Sequence, residues 1–341
     1  MFSKRDFIKA VVAAGFSVSA LAGTAVQAAD ITGAGATFPY AVYSKWAELY
    51  NAATGNKVNY QGIGSSGGVK QIKAKTVDFG GTDVPSSEAD LDANGLTQFP
   101  AVMGGVTLVI NLSGIKSGDI KLDGATAAEI FRGAITKWND PAIAKLNPGV
   151  ALPATAITVA HRSDGSGTTY VLTHYMSKQS MAFKRDVGAG NTVNWPVNAV
   201  GGKGNPGVAA NVMKIAGAIG YVDIADAMKN NMTFVALKNK AGNYIVPNQD
   251  SVADAAAGAN FKVKGMAPDL LDQSHKNAWP ITTVTYVLVY EKGSDAAKQK
   301  GVVDFFTWSL NNGQKAAEDL GFVALPKNVV KMVESEMRNI K

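Results

Sequence analysis

The stretch from Arg162 to Thr168 brings together side chains that suit an anion. It holds a guanidinium, three hydroxyls and two glycines, and Asp164 stands two residues after Arg162. A guanidinium is a planar fork that can hold two oxygens of a tetrahedral anion. Asp164 could instead be the simple partner of Arg162, and the two roles are compatible because a paired carboxylate also orients the fork. Arg162 and Asp164 are therefore candidate anion-site residues.

The same stretch lies at a junction between a strand and a helix. The β-rich run 156–160 leads into it and the amphipathic run 169–176 leaves it. The start of a helix presents unpaired N–H groups and the positive end of a dipole. Ser166, Gly167 and Thr168 are therefore predicted to line an anion site at a helix N-terminus.

Two further turns share this design of a strand, small or hydroxyl residues, and a helix start. They contain Thr37 with Phe38, and Ser65 with Ser66. In open α/β sheets, ligands bind beyond the carboxyl ends of the strands, where such turns meet. Each turn alone is more often an ordinary capped connection, but three of one kind favour convergence on one small anion.

Asp83 is a carboxylate in the short loop 81–85, at the same end of the predicted strands. Near a doubly charged anion it is repulsive unless the anion carries a proton. A carboxylate that accepts this proton would favour hydrogen phosphate and reject sulfate, because sulfate would leave two desolvated acceptors facing each other. The alternative, that Asp83 is a turn or helix-start residue, stays open at this point.

Catalytic and metal chemistry have weaker signals. Ser66 lies at the centre of 64–68, which matches the nucleophile-elbow pattern of hydrolases. A triad would also need a histidine, and the candidates are better read as structural or surface residues: His161, His174 and His275. A lysine is missing where a phosphate-binding Walker loop requires one, and the chain has no cysteine. We predict no catalytic residue, no metal and no cofactor, and hence no enzyme.

The elements that must position these residues alternate between strand and helix patterns. Such alternation predicts an α/β fold with mostly parallel sheets, and 341 residues are enough for two domains. Because no linker or repeat divides the chain, we expect two lobes joined by crossings near Val109 and Val287. Lobe 1 is predicted to comprise residues 29–108 and 287–341 and lobe 2 residues 109–286, with the ligand in the cleft between them.

Two helix starts are predicted from local signals. Ser86 is suited to cap a helix that ends before Gly95. Thr126 and Glu129 have the spacing of a capping box at the start of another helix.

Residues 1–28 have the pattern of a cleaved export signal. Lys4, Arg5 and Lys9 precede the apolar run 10–26, which is too short and too rich in Ala and Gly for a membrane span. The Lys4-Arg5 pair also resembles a twin-arginine signal, which leaves the export route open. Without a cysteine there is no site for a lipid anchor, so we expect a freely diffusing periplasmic protein.

The mature chain is only mildly basic. Removal of the signal takes away three positive charges and one negative charge, which lowers the formal net charge from +6 to +4. The remaining Lys and Arg residues are not clustered, so we predict that nucleic acid is not a partner.

Taken together, these motifs resemble the periplasmic phosphate-binding proteins of high-affinity phosphate ABC transporters. The resemblance extends over essentially the whole mature chain and is carried by residues 32–39, 59–69, 162–168, 201–205 and 217–222. It implies a monomeric, two-lobed periplasmic binding protein of type II. The function it implies is to bind inorganic phosphate and deliver it to the membrane permease subunits. Binding of another tetrahedral oxyanion, or a secreted phosphatase on the same scaffold, are the alternatives.

The resemblance also implies which residues contact phosphate. These are Thr37, Phe38 through its main chain, Ser65, Asp83, Arg162, Ser166, Gly167 and Thr168. Asp164 matches the acidic partner of the arginine. Pro206 stands where the family pattern has an acidic residue, which leaves the role of the loop around Lys203 open.

Overall fold

A computed structural model describes residues 30–195 and 198–340 of the chain, so the predicted export signal at 1–28 lies outside the described residues. The strands are β1 (Ile31–Gly35), β2 (Val58–Gly62), β3 (Phe79–Thr82), β4 (Leu96–Ile110), β5 (Lys121–Leu122), β6 (Thr158–Arg162), β7 (Ala199–Gly202), β8 (Ala218–Asp223), β9 (Thr233–Phe234), β10 (Ala236–Lys238), β11 (Tyr244–Ile245) and β12 (Thr282–Tyr290).

Helices connect most of these strands, which confirms the predicted α/β class. They are α1 (Tyr40–Thr54), α2 (Ser65–Lys73), α3 (Glu88–Asn94), α4 (Gly124–Phe131), α5 (Pro141–Leu146), α6 (Gly167–Gln179), α7 (Met181–Asp186), α8 (Gly204–Lys214), α9 (Ile224–Lys229), α10 (Gln249–Ala256), α11 (Ala296–Asn312), α12 (Gln314–Asp319) and α13 (Lys327–Met337), with a short 3-10 turn at Lys264–Met266. No helix within the described ranges is long and apolar enough to cross a bilayer.

Within the described residues, nine strands form one continuous sheet in the order β2-β1-β3-β12-β4-β8-β6-β7, with β9 beside β4. Strand β1 pairs in parallel with β2 and β3, and β6 pairs in parallel with β7 and β8. The two long strands in the middle, β12 and β4, run antiparallel to their neighbours. The sheet is therefore mixed: it is parallel towards both ends and antiparallel where the chain runs between its two halves.

Strand β4 belongs to both halves of this sheet. It pairs with β12 from Leu96 to Gly105, and with β8 from Val106 to Ile110. We call the sheet up to Gly105 the first half and the sheet from Val106 onward the second half. The partner change lies a few residues before the predicted crossing at Val109, and the lobe boundaries themselves stay a prediction.

Each half has its own apolar core. In the first half an aromatic cluster joins α1 and α11 to the sheet, with ring centroids 5.7 Å apart for Tyr43 and Phe306 and 5.1 Å apart for Phe79 and Phe306. In the second half α4 and α6 cover the sheet with a cluster that includes the fully buried Trp138 and Phe131. Each half is therefore close-packed around a core of its own.

Both predicted helix starts are wrong, by one residue for α3 and by three residues for α4. Ser87, not Ser86, caps α3, because its hydroxyl accepts the Asp90 N–H at 3.2 Å. The Thr126 capping box does not form either. Asp123 caps α4 by accepting the Thr126 N–H at 2.8 Å, and Glu129 pairs with Arg132. In both cases another polar side chain nearby satisfies the free N–H groups.

Candidate anion-binding site

The three predicted turns converge at the carboxyl ends of strands from both halves of the sheet. Thr37 follows β1, Ser65 begins α2, and Ser166 caps α6 in the second half. Several hydrogen bonds join the halves here. The Gly167 N–H donates to Ser65 Oγ at 3.1 Å, and the Asn205 N–H donates to Thr37 Oγ1 at 3.1 Å. Residues more than 100 positions apart in the chain thus share one buried cluster.

Asp83 enters this cluster directly after β3. Its N–H donates to Ser65 Oγ at 3.3 Å, and its Oδ2 lies 3.5 Å from the same hydroxyl. A Cβ atom at Gly167 would stand only 2.6 Å from Asp83 Oδ2, so glycine is required for the two chain segments to approach. Asp83 therefore lies within this cluster and is buried rather than exposed at the surface, and its contact with a ligand stays a prediction.

The Asp83 carboxyl is buried and incompletely hydrogen-bonded. Burial raises its pKa from 3.8 to about 6, although the nearby Thr285 hydroxyl and the Arg162 guanidinium oppose the rise. Its Oδ1 atom has no hydrogen-bond partner among the described residues. A buried acceptor without a donor is costly, so this oxygen is suited to receive a proton from a bound group.

Arg162, at the end of β6, is fixed by neighbours within its own half. Its Nε and Nη2 atoms donate to the two carboxylate oxygens of Asp164, at 2.8 and 2.5 Å. Its Nη1 atom donates to Asn205 Oδ1 at 2.7 Å. An arginine has five N–H donors, so these three bonds leave one N–H on each terminal nitrogen for a further acceptor. The fork is thus oriented before any ligand arrives.

Asp164 carries the negative charge that balances Arg162. Burial alone would raise the pKa of this carboxyl, but the Arg162 hydrogen bonds and charge and the Gly204 N–H hold it below the ordinary value. The Gly204 N–H donates to Asp164 Oδ1 at 2.9 Å. Asp164 therefore stays ionised, as the predicted supporting role requires. The loop around Lys203 contributes its backbone here, while the Lys203 side chain is exposed.

The Phe38 side chain belongs to the core of the first half and not to the cluster. Its ring packs edge-on against Phe322, with centroids 5.8 Å apart, and is buried in the core of the first half. This anchoring fixes the turn before α1, and the expected main-chain contact of Phe38 with phosphate stays a prediction.

Two hydroxyl groups lie at the start of α6, and they differ in their hydrogen-bond partners. Ser166 Oγ accepts the Thr169 N–H at 3.1 Å, so it serves as the helix cap. Thr168 Oγ1 is buried and has no hydrogen-bond partner among the described residues. The Thr168 hydroxyl is thus a second buried polar atom that is suited to a ligand.

Ser66 and the histidines, which a hydrolase triad would need together, have other partners. Ser66 Oγ accepts from Asn191 Nδ2 at 2.8 Å. His161 stacks on Trp195, His174 packs on the Tyr170 ring, and His275 lies 3.4 Å from Asp254.

The sequence-based reasoning missed Asn205 as a site residue. Asn205 lies in the motif 201–205 that carries part of the resemblance, but its amide is uncharged and was not predicted to reach the site. The signal that could have identified it is its place in the first turn of a helix after a strand end. A buried polar side chain there can reach the end of the neighbouring strand, as Asn205 reaches Arg162.

Known proteins are similar to this chain in both sequence and fold. Residues 22–312 match a family model described as PBP superfamily domain. The chain is 48% identical over 310 residues to the phosphate-binding protein PstS of Xylella fastidiosa (strain 9a5c), covering 91% of this chain and 85% of that protein. It is 46% identical over 337 residues to phosphate-binding protein PstS of Pasteurella multocida (strain Pm70), covering 98% and 96%.

Solved structures share the fold at lower identity. One is a high-affinity periplasmic phosphate-binding protein (PfluDING) bound with phosphate, with a TM-score of 0.71 and 22% identity over 90% of this chain and 93% of that chain. Another is the phosphate-binding protein from Stenotrophomonas maltophilia, with a TM-score of 0.71 and 20% identity over the same shares. At this identity the likeness concerns the fold, and it confirms the predicted periplasmic-binding-protein architecture.

Proposed function

This chain belongs to the phosphate-binding protein PstS family within the PBP superfamily, and from that membership we propose that it binds inorganic phosphate. Its proposed task is to capture phosphate in the periplasm and deliver it to the permease subunits of an ABC importer.

One observation carries the proposal: a buried, oriented guanidinium and a buried carboxylate face the same cluster of helix N-termini. Arg162 and the start of α6 supply positive charge, while Asp83 supplies an acceptor. A fully deprotonated anion has no hydrogen to donate to that acceptor, whereas hydrogen phosphate carries both negative charge and a proton that it can donate. The proposed phosphate contacts are the residues expected above: Thr37, Phe38, Ser65, Asp83, Arg162, Ser166, Gly167 and Thr168.

Asp83 is the proposed reader of the ligand proton. At pH 7.5 the medium lies above its pKa of about 6, so the carboxyl is mostly ionised and accepts a hydrogen bond. Hydrogen phosphate donates that bond. Sulfate has no proton at this pH, so it would set an oxygen against the buried carboxylate without any donor between them.

Closure of two lobes around the ligand is the proposed conformational step. Ser65 meets Gly167, and Thr37 meets Asn205, so opening of the cleft would separate both pairs. We propose that residues 29–108 and 287–341 move as one lobe and 109–286 as the other. The hinge would lie at the two crossings, near Val109 in β4 and near Val287 in β12. Closure excludes water and strengthens each hydrogen bond to the anion.

We further propose that the protein acts as a monomeric receptor without enzymatic activity and that residues 1–28 direct its export to the periplasm and are then removed. The relatives named above are phosphate-binding proteins, which supports a binding role. The test is incubation of the purified protein with a phosphomonoester. Steady release of phosphate that Ser66→Ala abolishes would contradict the proposal in favour of a phosphatase.

Calorimetry with phosphate and sulfate at pH 7.5 tests the ligand assignment. We expect phosphate to bind at least about 1,000-fold more tightly than sulfate, since a buried polar group that a ligand leaves unpaired discriminates by several kcal/mol. Equal affinity for both anions would refute the proton-reading role of Asp83. Tighter binding of sulfate or molybdate would refute phosphate as the ligand.

A further inference from the structure

Asn205 occupies a position between three parts of the site. Its Oδ1 accepts from Arg162 Nη1 at 2.7 Å, its Nδ2 donates to Asp223 Oδ2 at 2.6 Å, and its N–H donates to Thr37 Oγ1 at 3.1 Å. The side chain is fully buried. The amide oxygen, the amide nitrogen and the backbone N–H of Asn205 are thus all hydrogen-bonded.

The orientation of the Asn205 amide follows from its partners. A guanidinium only donates hydrogen bonds, so the Asn205 atom facing Arg162 has to be the oxygen. The amide nitrogen then faces Asp223, which has to accept. Because this chain of donors and acceptors runs in one direction only, Asn205 cannot rotate its amide without losing a bond at each end.

Asp223 is itself fixed. Its Oδ2 accepts from Asn205 and its Oδ1 accepts the Asp226 N–H at 2.8 Å at the start of α9. Burial raises the pKa of Asp223, and the neighbouring Asp226 raises it further, so this carboxyl is costly to place here. A buried polar network whose members are hydrogen-bonded holds them in one arrangement. Asp223 is therefore suited to fix the orientation of Asn205.

We propose that Asn205 is a positioning residue for phosphate binding, which acts by orienting Arg162 from an anchor at Asp223. This inference rests on the proposed function. It also links the orientation of Arg162 to closure, since the Asn205 N–H contacts Thr37 across the cleft. Without Asn205, Asp164 would hold only one side of the guanidinium, and Nη1 would lose its fixed acceptor.

The test is a double-mutant cycle on the full protein, with phosphate affinity measured by calorimetry. Asn205→Ala is expected to weaken binding about 10- to 100-fold, because hydrogen bonds to charged groups are the stronger kind. Asp223→Asn is expected to weaken binding about 3- to 10-fold. An amide has one oxygen and cannot accept from both Asn205 and the Asp226 N–H.

The double variant decides the mechanism. If Asp223 acts through Asn205, then Asp223→Asn has no further effect on phosphate affinity in the Asn205→Ala protein. Effects that multiply in the double variant would overturn the proposal. The matched control is Asn211→Ala on the same helix, where the lost amide donates to the Gly201 carbonyl and not to Arg162, and affinity should stay within about 2-fold.

Three outcomes are distinguishable. Asn205→Ala that binds as tightly as the Asn211→Ala control overturns the inference and leaves the proposed function intact. If Asn205→Ala fails to fold, Asp223→Asn, which keeps the side-chain volume, still decides: affinity within about 2-fold of the unaltered protein overturns the inference. An unaltered protein that does not bind phosphate overturns the proposed function itself.

Discussion

The two charged side chains of the site are held in opposite ways. Arg162 has three of its N–H groups bound by Asp164 and Asn205, and its backbone N–H donates to the Tyr221 hydroxyl at 3.1 Å. Asp83 faces it with one buried oxygen that has no partner among the described residues and with a raised pKa. The protein thus supplies fixed hydrogen-bond acceptors for Arg162, whereas it leaves one carboxylate oxygen of Asp83 without a donor.

This difference separates attraction from discrimination. A pre-oriented guanidinium attracts any oxyanion of the right size, because its charge and geometry do not depend on the ligand's protonation. A carboxylate that lacks a donor gains only from a ligand that brings a proton. Affinity is therefore expected to depend mostly on Arg162, and selectivity mostly on Asp83.

Replacement of Arg162 should have the largest effect on affinity. Arg162→Lys keeps the charge but loses the fork, and it leaves Asp164 and Asn205 short of donors. We expect phosphate affinity to fall about 1,000-fold, which corresponds to the loss of two charge-assisted hydrogen bonds. Calorimetry checks this, with Arg185→Lys at an exposed position as the control. A fall of less than about 10-fold would show that the fork is not the main source of affinity.

Replacement of Asp83 should alter selectivity more than affinity. In Asp83→Asn the amide can donate to an anion oxygen, so sulfate loses its penalty while phosphate keeps a partner. We expect the ratio of phosphate to sulfate affinity to fall about 100-fold, with phosphate affinity changed by less than about 10-fold. Competition calorimetry measures the ratio, and Asp92→Asn at the surface is the matched control. An unchanged ratio would remove Asp83 from the selectivity mechanism.

Asp83 should also make stability depend on pH. Because its pKa is raised from 3.8 to about 6, the folded protein is favoured when the carboxyl is protonated, and this contribution is lost as pH rises through about 6. Relative to Asp83→Asn, the unaltered ligand-free protein should lose about 2 kcal/mol of unfolding free energy between pH 4 and pH 7.5, roughly a 30-fold change in the unfolding constant. Urea titrations at both pH values measure it. A constant difference would indicate that Asp83 is solvated in the ligand-free protein.

Substitutions of the neighbouring Ser65 and Ser66 should have the smallest effects on phosphate affinity, and the two effects should differ. Ser65 Oγ accepts from Gly167 and Asp83, whereas Ser66 Oγ accepts from Asn191 at the edge of the cleft. Ser65→Ala is expected to weaken phosphate binding about 10-fold, and Ser66→Ala less than about 3-fold. Similar values for both variants would mean that the Ser65 hydroxyl has no special place in the site.

Much of the architecture was accessible from the sequence because local patterns determined it. The strand, small-residue turn and helix start recur at Thr37, Ser65 and Ser166, and each of these turns lies where the pattern indicates. The caps of α3 and α4 were misplaced because several polar residues stand close together, and only the folded backbone selects Ser87 and Asp123.

The bracing of Arg162 shows what local patterns cannot supply. Asp164 was predictable since it is two residues away, but Asn205 is 43 positions along the chain and reaches Arg162 only because β7 lies next to β6. Likewise, the extent of Asp83 burial depends on Gly167 from the other half of the sheet. Such contacts follow from strand order, which the sequence alone did not determine.

Strand β4 also bears on how the two halves are joined. Its first segment completes the sheet of the first half and its second segment completes that of the second half, and each half has its own apolar core. The two halves meet within one unbroken strand, at the peptide bond between Gly105 and Val106. On either side of that bond the strand pairing of β4 belongs to one half only, so the halves of a receptor proposed to open and close can turn relative to each other without breaking either sheet.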